Sequence, residues 1–362
     1  MTTSLAKKYR PRLFKDVIGQ ETIISTLQYF LKKKKYPDSI ILDGEFGIGK
    51  TTLARIFANT LNCLEPTDEE PCGKCKVCES FKNENYFNNY YLEFDSSAVG
   101  DVNFMRDFIE TLKGDLFGGK HRVVVFDEAQ EVSKQAQSML LKVIEENYTN
   151  NIFVFCTTAK HKLLDTIISR SFSLSLKPVS MGAIKYLIET ICSEEEKTVD
   201  DKIINIIALK SRGHVRDAVL LLDRVFIGDV SNINDFYTKV GIDIYTAIGK
   251  LFLHLQDITK IQQICKTIFA NASINYFRDN FYKFIELLLY NRAGVIIEES
   301  NIYFMYANVL TEINKKYNEK EMKIIVEPFF NTLGLNAFVS EQVFESLIVY
   351  LSQKLSKIEG VN

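Results

Sequence analysis

The segment Gly44-Glu45-Phe46-Gly47-Ile48-Gly49-Lys50-Thr51 fits G-x-x-x-x-G-K-[ST] without exception. Glycines at these points let backbone N–H groups turn inward around a phosphate chain, and a helix start behind them adds partial positive charge. Lys50 is then placed to reach β- and γ-phosphates, and the Thr51 hydroxyl to bind Mg²⁺. The apolar run 39–43 precedes the loop and helical spacing over 51–62 follows it, which is the strand–loop–helix context this motif requires. Gly47, Ile48, Gly49, Lys50, Thr51 and Thr52 are therefore the expected phosphate-side contacts of a nucleotide. A second signal is Val123-Val124-Val125-Phe126-Asp127-Glu128, four apolar residues ending in two carboxylates. Alone it reads as a charged strand end. After a complete phosphate loop it assigns Asp127 to Mg²⁺ and Glu128 to the attacking water as general base. Thr157 and Thr158 end the next apolar run, and one hydroxyl there, taken as that of Thr158, is expected to hold the water or the γ-phosphate.

Cys63, Cys72, Cys75 and Cys78 place four thiols within 16 residues, with Gly73 allowing the tight turn. In a reducing compartment such spacing favours tetrahedral Zn²⁺ over disulfides. With no histidine or open ligand position evident, the site reads as structural. An iron–sulfur cluster and a redox pair rest on the same residues and stay open at this level. Cys156, Cys192 and Cys265 sit alone in apolar segments and read as small buried hydrophobes.

These residues need a frame. Short apolar runs at 39–43, 90–95, 122–127, 152–157 and 172–176 alternate with helical patterns near 20–34, 51–62, 101–113, 134–146 and 163–169. That alternation, over about 180 residues, predicts a parallel sheet with helices on both faces; the alternating 172–176 run is the expected edge. Beyond Pro178 strand signals stop. Three or four short amphipathic helices are expected over 181–226, interrupted at Gly213, and from about 240 the pattern is helical, with Phe252, Leu255, Ile258 and Ile261 as one apolar series. The chain has 362 residues, 46% apolar and 25% charged, which fits a soluble globular protein of two or three domains. No signal-peptide pattern or run of 18 apolar residues is present, so a cytoplasmic protein without membrane contact is expected. The net charge of 44 − 46 = −2 excludes a uniformly basic nucleic-acid binder and leaves room for a local basic face.

The N-terminal box Leu5-Ala6-Lys7-Lys8-Tyr9-Arg10-Pro11 and Phe14-x-Asp16-Val17-Ile18-Gly19-Gln20-Glu21, together with the cysteine module directly behind the phosphate-loop helix, resembles the gamma/tau subunit family of bacterial DNA polymerase III, clamp loaders of the AAA+ ATPase class. The resemblance covers about residues 1–225 by motif. It implies an α/β P-loop AAA+ domain at 1–178 carrying a zinc module at 63–78, a small helical lid at 179–240, and an all-α collar at 241–362. It implies that Ala6, Tyr9, Arg10, Pro11, Val17 and Ile18 lie against adenine and ribose. Ile168-Ser169-Arg170-Ser171 is similar to the family's Ser-Arg-Cys motif, so Arg170 is expected to act in trans on a neighbour's γ-phosphate. Gly213-His214-Val215-Arg216-Asp217-Ala218 is similar to the second sensor, so Arg216 is expected on the phosphates of its own site.

The implied activity is ATP hydrolysis that opens a sliding clamp and loads it on primer–template DNA, within a pentameric ring of clamp-loader subunits. By position, Arg106, Ser133, Lys134 and Thr166 are candidate DNA-phosphate contacts. Two departures stand out: Asp127-Glu128-Ala129-Gln130 replaces Asp-Glu-x-His, and Glu145-Glu146-Asn147 lacks the prolines that normally follow. They suggest a phage-encoded copy in an infected bacterial cytoplasm. The chain stops where the collar should stop, so a long tau-type extension is expected to be absent. The alternatives are a non-catalytic delta-prime-like subunit of the same machine and another AAA+ DNA-remodelling ATPase.

Overall fold

The computed structural model describes residues 4–82, 90–96, 102–112, 121–146, 150–230, 244–270, 273–296, 306–331 and 341–359. The boundary expected at 240, and Asn147, lie outside these residues. Five strands, β1 (Ser39–Asp43), β2 (Tyr91–Asp95), β3 (Arg122–Asp127), β4 (Asn151–Thr157) and β5 (Phe172–Ser175), form one sheet in the order β2-β3-β4-β1-β5. Every pairing is parallel, and β5 is an edge, as its alternation predicts.

The strand residues divide by parity, because successive side chains point to opposite faces. On one face Ile40, Leu42, Val123, Val125, Val154 and Cys156 pack with Ile23 and Leu27 of α2 (Glu21–Lys33) and with Leu53, Ile56 and Phe57 of α3 (Lys50–Asn62). A short α1 (Leu5–Lys8) precedes both helices. Helix α4 (Lys76–Lys82) closes the cysteine module. On the other face Ile41, Val124, Phe126, Phe153 and Phe155 pack with α5 (Val102–Leu112), α6 (Lys134–Glu146) and α7 (Asp165–Arg170) through Phe108, Leu140 and Ile167. Burial on both faces is why the central strands β1, β3 and β4 read as unbroken apolar runs. The register pairs Asp43 with Thr157 and Asp95 with Asp127, so the carboxyl ends line up along one rim, where ligands of open parallel sheets bind.

Helices α8 (Met181–Glu194), α9 (Asp201–Lys210) and α10 (Val215–Ile227) follow. The chain forms two compact units: residues 1–198 with 210–223, and residues 199–209 with 224–362. Gly213, where the helical pattern breaks, has φ +82°, and a side chain there would press on the Val179 carbonyl oxygen at 2.6 Å.

In the second unit α11 (Ile244–Leu253), α12 (Ile258–Phe269), α13 (Ile274–Arg292), α14 (Ala307–Lys316), α15 (Glu319–Asn331) and α16 (Glu341–Glu359) enclose a core of Phe252, Phe277, Phe281, Phe284, Phe329 and Phe344. The series Phe252, Leu255, Ile258 and Ile261 does not lie on one helix. Helix α11 ends at Leu253, and Asp257 starts α12 by accepting a hydrogen bond from the Lys260 N–H at 3.1 Å. Ile258 is exposed, while Leu255 and Ile261 are buried. The apolar spacing runs straight through a helix boundary because Leu255 packs from the turn.

Candidate nucleotide site

Along the sheet rim a cavity of about 950 Å³ is lined by Ala6, Tyr9, Arg10, Pro11, Val17, Ile18, the loop residues 46–52, Asp127, Glu128 and Arg216. It is within the size range of small-ligand sites. The residues expected on the nucleotide, apart from Thr158 and the in-trans Arg170, are therefore brought to one place. The far wall, Tyr186, Thr190, Glu194 and Val219, comes from α8 and α10, and no sequence signal marked it.

The loop follows β1 directly. Gly47 and Gly49 hold φ of +77° and +109°, a region open to glycine at little cost. Lys50 is buried, and its Nζ donates to the carbonyl oxygens of Gly44 and Glu45 at 2.8 Å each. Three residues of the loop are tied to the start of α10. Glu45 meets His214 at 2.6 Å, and the Arg216 guanidinium lies over the Phe46 ring at 5.3 Å. The Arg216 backbone N–H also donates to the Gly47 carbonyl at 3.2 Å.

Thr51 Oγ1 donates to Asp127 Oδ2 at 2.9 Å, so the two oxygens assigned to Mg²⁺ already meet, and a hard cation prefers such oxygen ligands. Burial pushes the Asp127 carboxyl up; the Thr51 hydroxyl pulls against it, and Glu93 and Glu128 add to the rise. Glu93 on β2, which the sequence did not mark, is held by Arg55 through two hydrogen bonds of 2.7 and 2.6 Å and by the Tyr91 hydroxyl. Lys8 and Tyr9, which line the cavity, converge on Glu195 at 2.6 and 2.7 Å. Burial and that carboxylate raise the Tyr9 phenol.

Glu128 sits at φ 51°, ψ 45°, and its carboxylate accepts from the Gln130 side-chain amide. The Gln130 carbonyl oxygen in turn accepts from Thr157 Oγ1 at 2.8 Å and the Thr158 N–H at 3.2 Å. Thr157 is fully buried and Thr158 is exposed outside the cavity lining. Neither threonine lines the cavity, so the structure does not place Thr158 at the water or the γ-phosphate: its side chain is exposed, and the Thr157 hydroxyl engages Gln130 instead, because a one-residue step along a strand reverses the face.

Arg170 also lies outside this cavity. It ends α7, pairs with Glu145 at 2.7 Å and donates to the Thr166 carbonyl at 3.2 Å. Arg106, Ser133, Lys134 and Thr166 are exposed. The Ser133 hydroxyl accepts from the Ala136 N–H at 3.3 Å, and Lys134 donates to the Lys162 carbonyl.

The four clustered cysteine sulfurs all lie within 4.8 Å of one another, with separations of 3.5, 3.7, 3.9 and 3.9 Å among them. A tetrahedral ion with metal–sulfur bonds of ~2.3 Å holds its sulfurs roughly 3.8 Å apart. The cluster fits one ion. A disulfide needs sulfurs at about 2 Å. Burial pushes Cys63 and Cys78 up. For Cys75 burial acts the same way, but hydrogen bonds from the backbone N–H groups of Leu64 and Cys78 and from neighbouring thiols outweigh it and bring the thiol to about 6.

A family model described as DNA polymerase III, delta subunit, matches residues 19–180. The tau subunit of DNA polymerase III from Bacillus subtilis is 31% identical over 296 residues, 80% of this chain and 52% of that one. This chain is a sequence relative of the DNA polymerase III gamma/tau subunits. A further gamma/tau relative, the gamma subunit from Buchnera aphidicola, is 33% identical over 231 residues, covering 64% of this chain and 62% of its own. The chain thus spans about half to three fifths the length of these relatives. Neither bears on a phage origin. Among solved structures, the RuvB Holliday junction branch migration motor of Thermotoga maritima aligns with a TM-score of 0.49 at 21% identity, over 70% of this chain and 80% of that one, a likeness too slight to argue from. No helix among the described residues is long and apolar enough to cross a membrane.

Proposed function

We propose that this gamma/tau relative is an ATP-hydrolysing motor subunit of a clamp loader, acting in the bacterial cytoplasm to open a sliding clamp and place it on primer–template DNA. One observation carries the hydrolytic part: Lys50, Thr51, Asp127 and Glu128 converge on one cavity, with Thr51 and Asp127 in contact. Lys50 would hold the β- and γ-phosphates by charge, trading its two carbonyl partners for phosphate oxygens. Thr51 and Asp127 would hold Mg²⁺, which neutralises phosphate charge. Glu128 would take the proton of the attacking water. Arg216 would leave the Phe46 ring for the phosphates. Arg170 would exchange Glu145 for the γ-phosphate of the next subunit in a pentameric ring. The four cysteines would hold a structural Zn²⁺.

The second reading is a delta-prime-like structural subunit that does not hydrolyse ATP; the matching family model is described as a delta subunit. The complete set of Lys50, Thr51, Asp127 and Glu128 supports the motor instead. The test is ATP turnover by the purified protein, alone and with partner subunits, cognate clamp and primed DNA. Stimulation by clamp and DNA together supports the loader. Turnover indifferent to both points to another DNA-remodelling ATPase, and no turnover in any assembly overturns the motor in favour of the structural subunit.

A further inference from the structure

The residue that replaces the family's usual histidine after the acidic pair does something the hydrolytic reading does not yet use. Gln130 bridges the end of β3 to the end of β4. Its side-chain NH₂ donates to Glu128, and its side-chain oxygen accepts from the Thr157 hydroxyl and the Thr158 N–H. An amide can be turned either way when only one end is engaged. Here two donors fix the oxygen, so only the NH₂ can face Glu128, and an amide turned over would set oxygen against carboxylate and NH₂ against N–H.

The acceptor side is anchored. Thr157 is buried, its hydroxyl also accepts from the Ala159 N–H at 3.0 Å, and its carbonyl accepts from the Gly44 N–H at 3.1 Å. The bridge therefore runs from Glu128 to the first residue of the phosphate loop. Glu128 is meanwhile in the left-handed backbone region, where a non-glycine residue persists only if its surroundings hold it.

We propose that Gln130 is a positioning residue. It aims the Glu128 carboxylate by donating to one oxygen, leaves the other oxygen free for the attacking water, and ties that aim to the loop that grips the phosphates. This rests on the hydrolytic reading above. A group that only positions a base should matter to turnover and not to nucleotide affinity, and its loss should vanish when the base is already gone.

The informative substitution is Gln130→Glu, which keeps an acceptor for Thr157 and Thr158 and so preserves that half of the bridge, but sets like charge against Glu128. Turnover is expected to fall about 10- to 100-fold, as a misplaced reacting group does. ATP affinity, titrated with Glu128→Gln as reference, should stay within about twofold. Gln130→Glu added to Glu128→Gln should slow turnover no further. Gln130→His, which restores a donor and an acceptor, should recover most of the rate. Unchanged turnover in Gln130→Glu, a loss residing in affinity, or a loss that persists on the Glu128→Gln background overturns the proposal. The side-chain amide resonance of Gln130, assigned by its absence in Gln130→Glu, reads the contact without turnover. It should shift in Glu128→Gln, and no shift overturns the bridge. Absence of turnover in the unsubstituted protein is a different failure: it removes the hydrolytic reading, and the role of Gln130 with it.

Discussion

The two compact units solve burial differently. Among the described residues, the first buries Gln20, Lys50, Arg122, Gln137, Asn151 and Thr157, whereas Ser352 is the buried polar residue of the second. A helix satisfies its own backbone, so the second unit can fill its core with stacked and edge-on phenylalanines. A sheet whose strands end in loops cannot. Gln137 donates to the Val132 carbonyl and accepts from the Leu164 N–H, and Gln20 stitches Lys177 in the same manner. Polar side chains are costly inside unless paired: Lys50 and Thr157 lie at the rim with Asp127 and Glu128, and Arg122 and Asn151 pair with each other at the opposite, amino ends of β3 and β4.

Substitutions can break or sharpen this contrast. The largest effect is expected in the second unit. Phe281 is fully buried against Phe252, Phe277, Phe329 and Phe344, so Phe281→Ala should lower the unfolding free energy by about 3–5 kcal/mol in chemical denaturation. Nucleotide affinity of the folded protein should not change; a matching loss of affinity breaks the division. Cys75→Ser should reduce bound metal from about one ion per chain to well below one by elemental analysis, since structural zinc binding is itself folding energy.

Lys50→Ala should weaken ATP binding roughly 30- to 100-fold by calorimetry, the worth of a buried charged donor. Asp127→Asn should abolish turnover yet raise the melting temperature of the nucleotide-free protein. The sign follows from the raised carboxyl. A folded-state pKa above the unfolded one means the folded chain holds its proton longer, so the stability contribution is full below the unfolded pKa and falls as pH climbs through the folded one. At pH above the ordinary carboxylate range the Asp127 carboxyl is therefore a liability to the fold, and Asn removes it; a lower melting temperature refutes this. The smallest effect is Arg170→Ala. Its pair with Glu145 is 44% and 49% exposed, so stability should change by less than about 0.5 kcal/mol. Hydrolysis should fall only in an assembled ring; an equal loss in the lone chain defeats a role in trans.

The central strands were legible because parallel strands buried on both faces leave uninterrupted apolar runs, and the phosphate loop and cysteine cluster because their residues lie close together in the sequence. Position 255 was misleading for a physical reason: Leu255 keeps the helical spacing while the backbone turns, and Asp257, whose capping role depends on Lys260 N–H, gives no periodic signal. Thr157 and Thr158 differ by one residue and hence by one sheet face, which composition cannot decide. Tyr186, Thr190 and Glu194 lie on an ordinary amphipathic helix, and only the fold brings them to the cavity. Gln130 was visible as a departure from a familiar pattern, but its partners Glu128, Thr157 and Thr158 lie at the ends of two different strands, and only the fold brings them together.

Helix α3 begins with Lys50 and Thr51 and is capped at its far end by Cys63, whose N–H donates to the Thr60 carbonyl at 3.3 Å. Thirteen residues make a shaft about 20 Å long. The first thiol of the cysteine cluster and the lysine of the phosphate loop are thus at opposite ends of one rod, pressed along its length against the sheet by Leu53, Ile56 and Phe57. A tilt imposed at the sulfur end has no hinge in which to dissipate, and it arrives at the phosphate end as displacement.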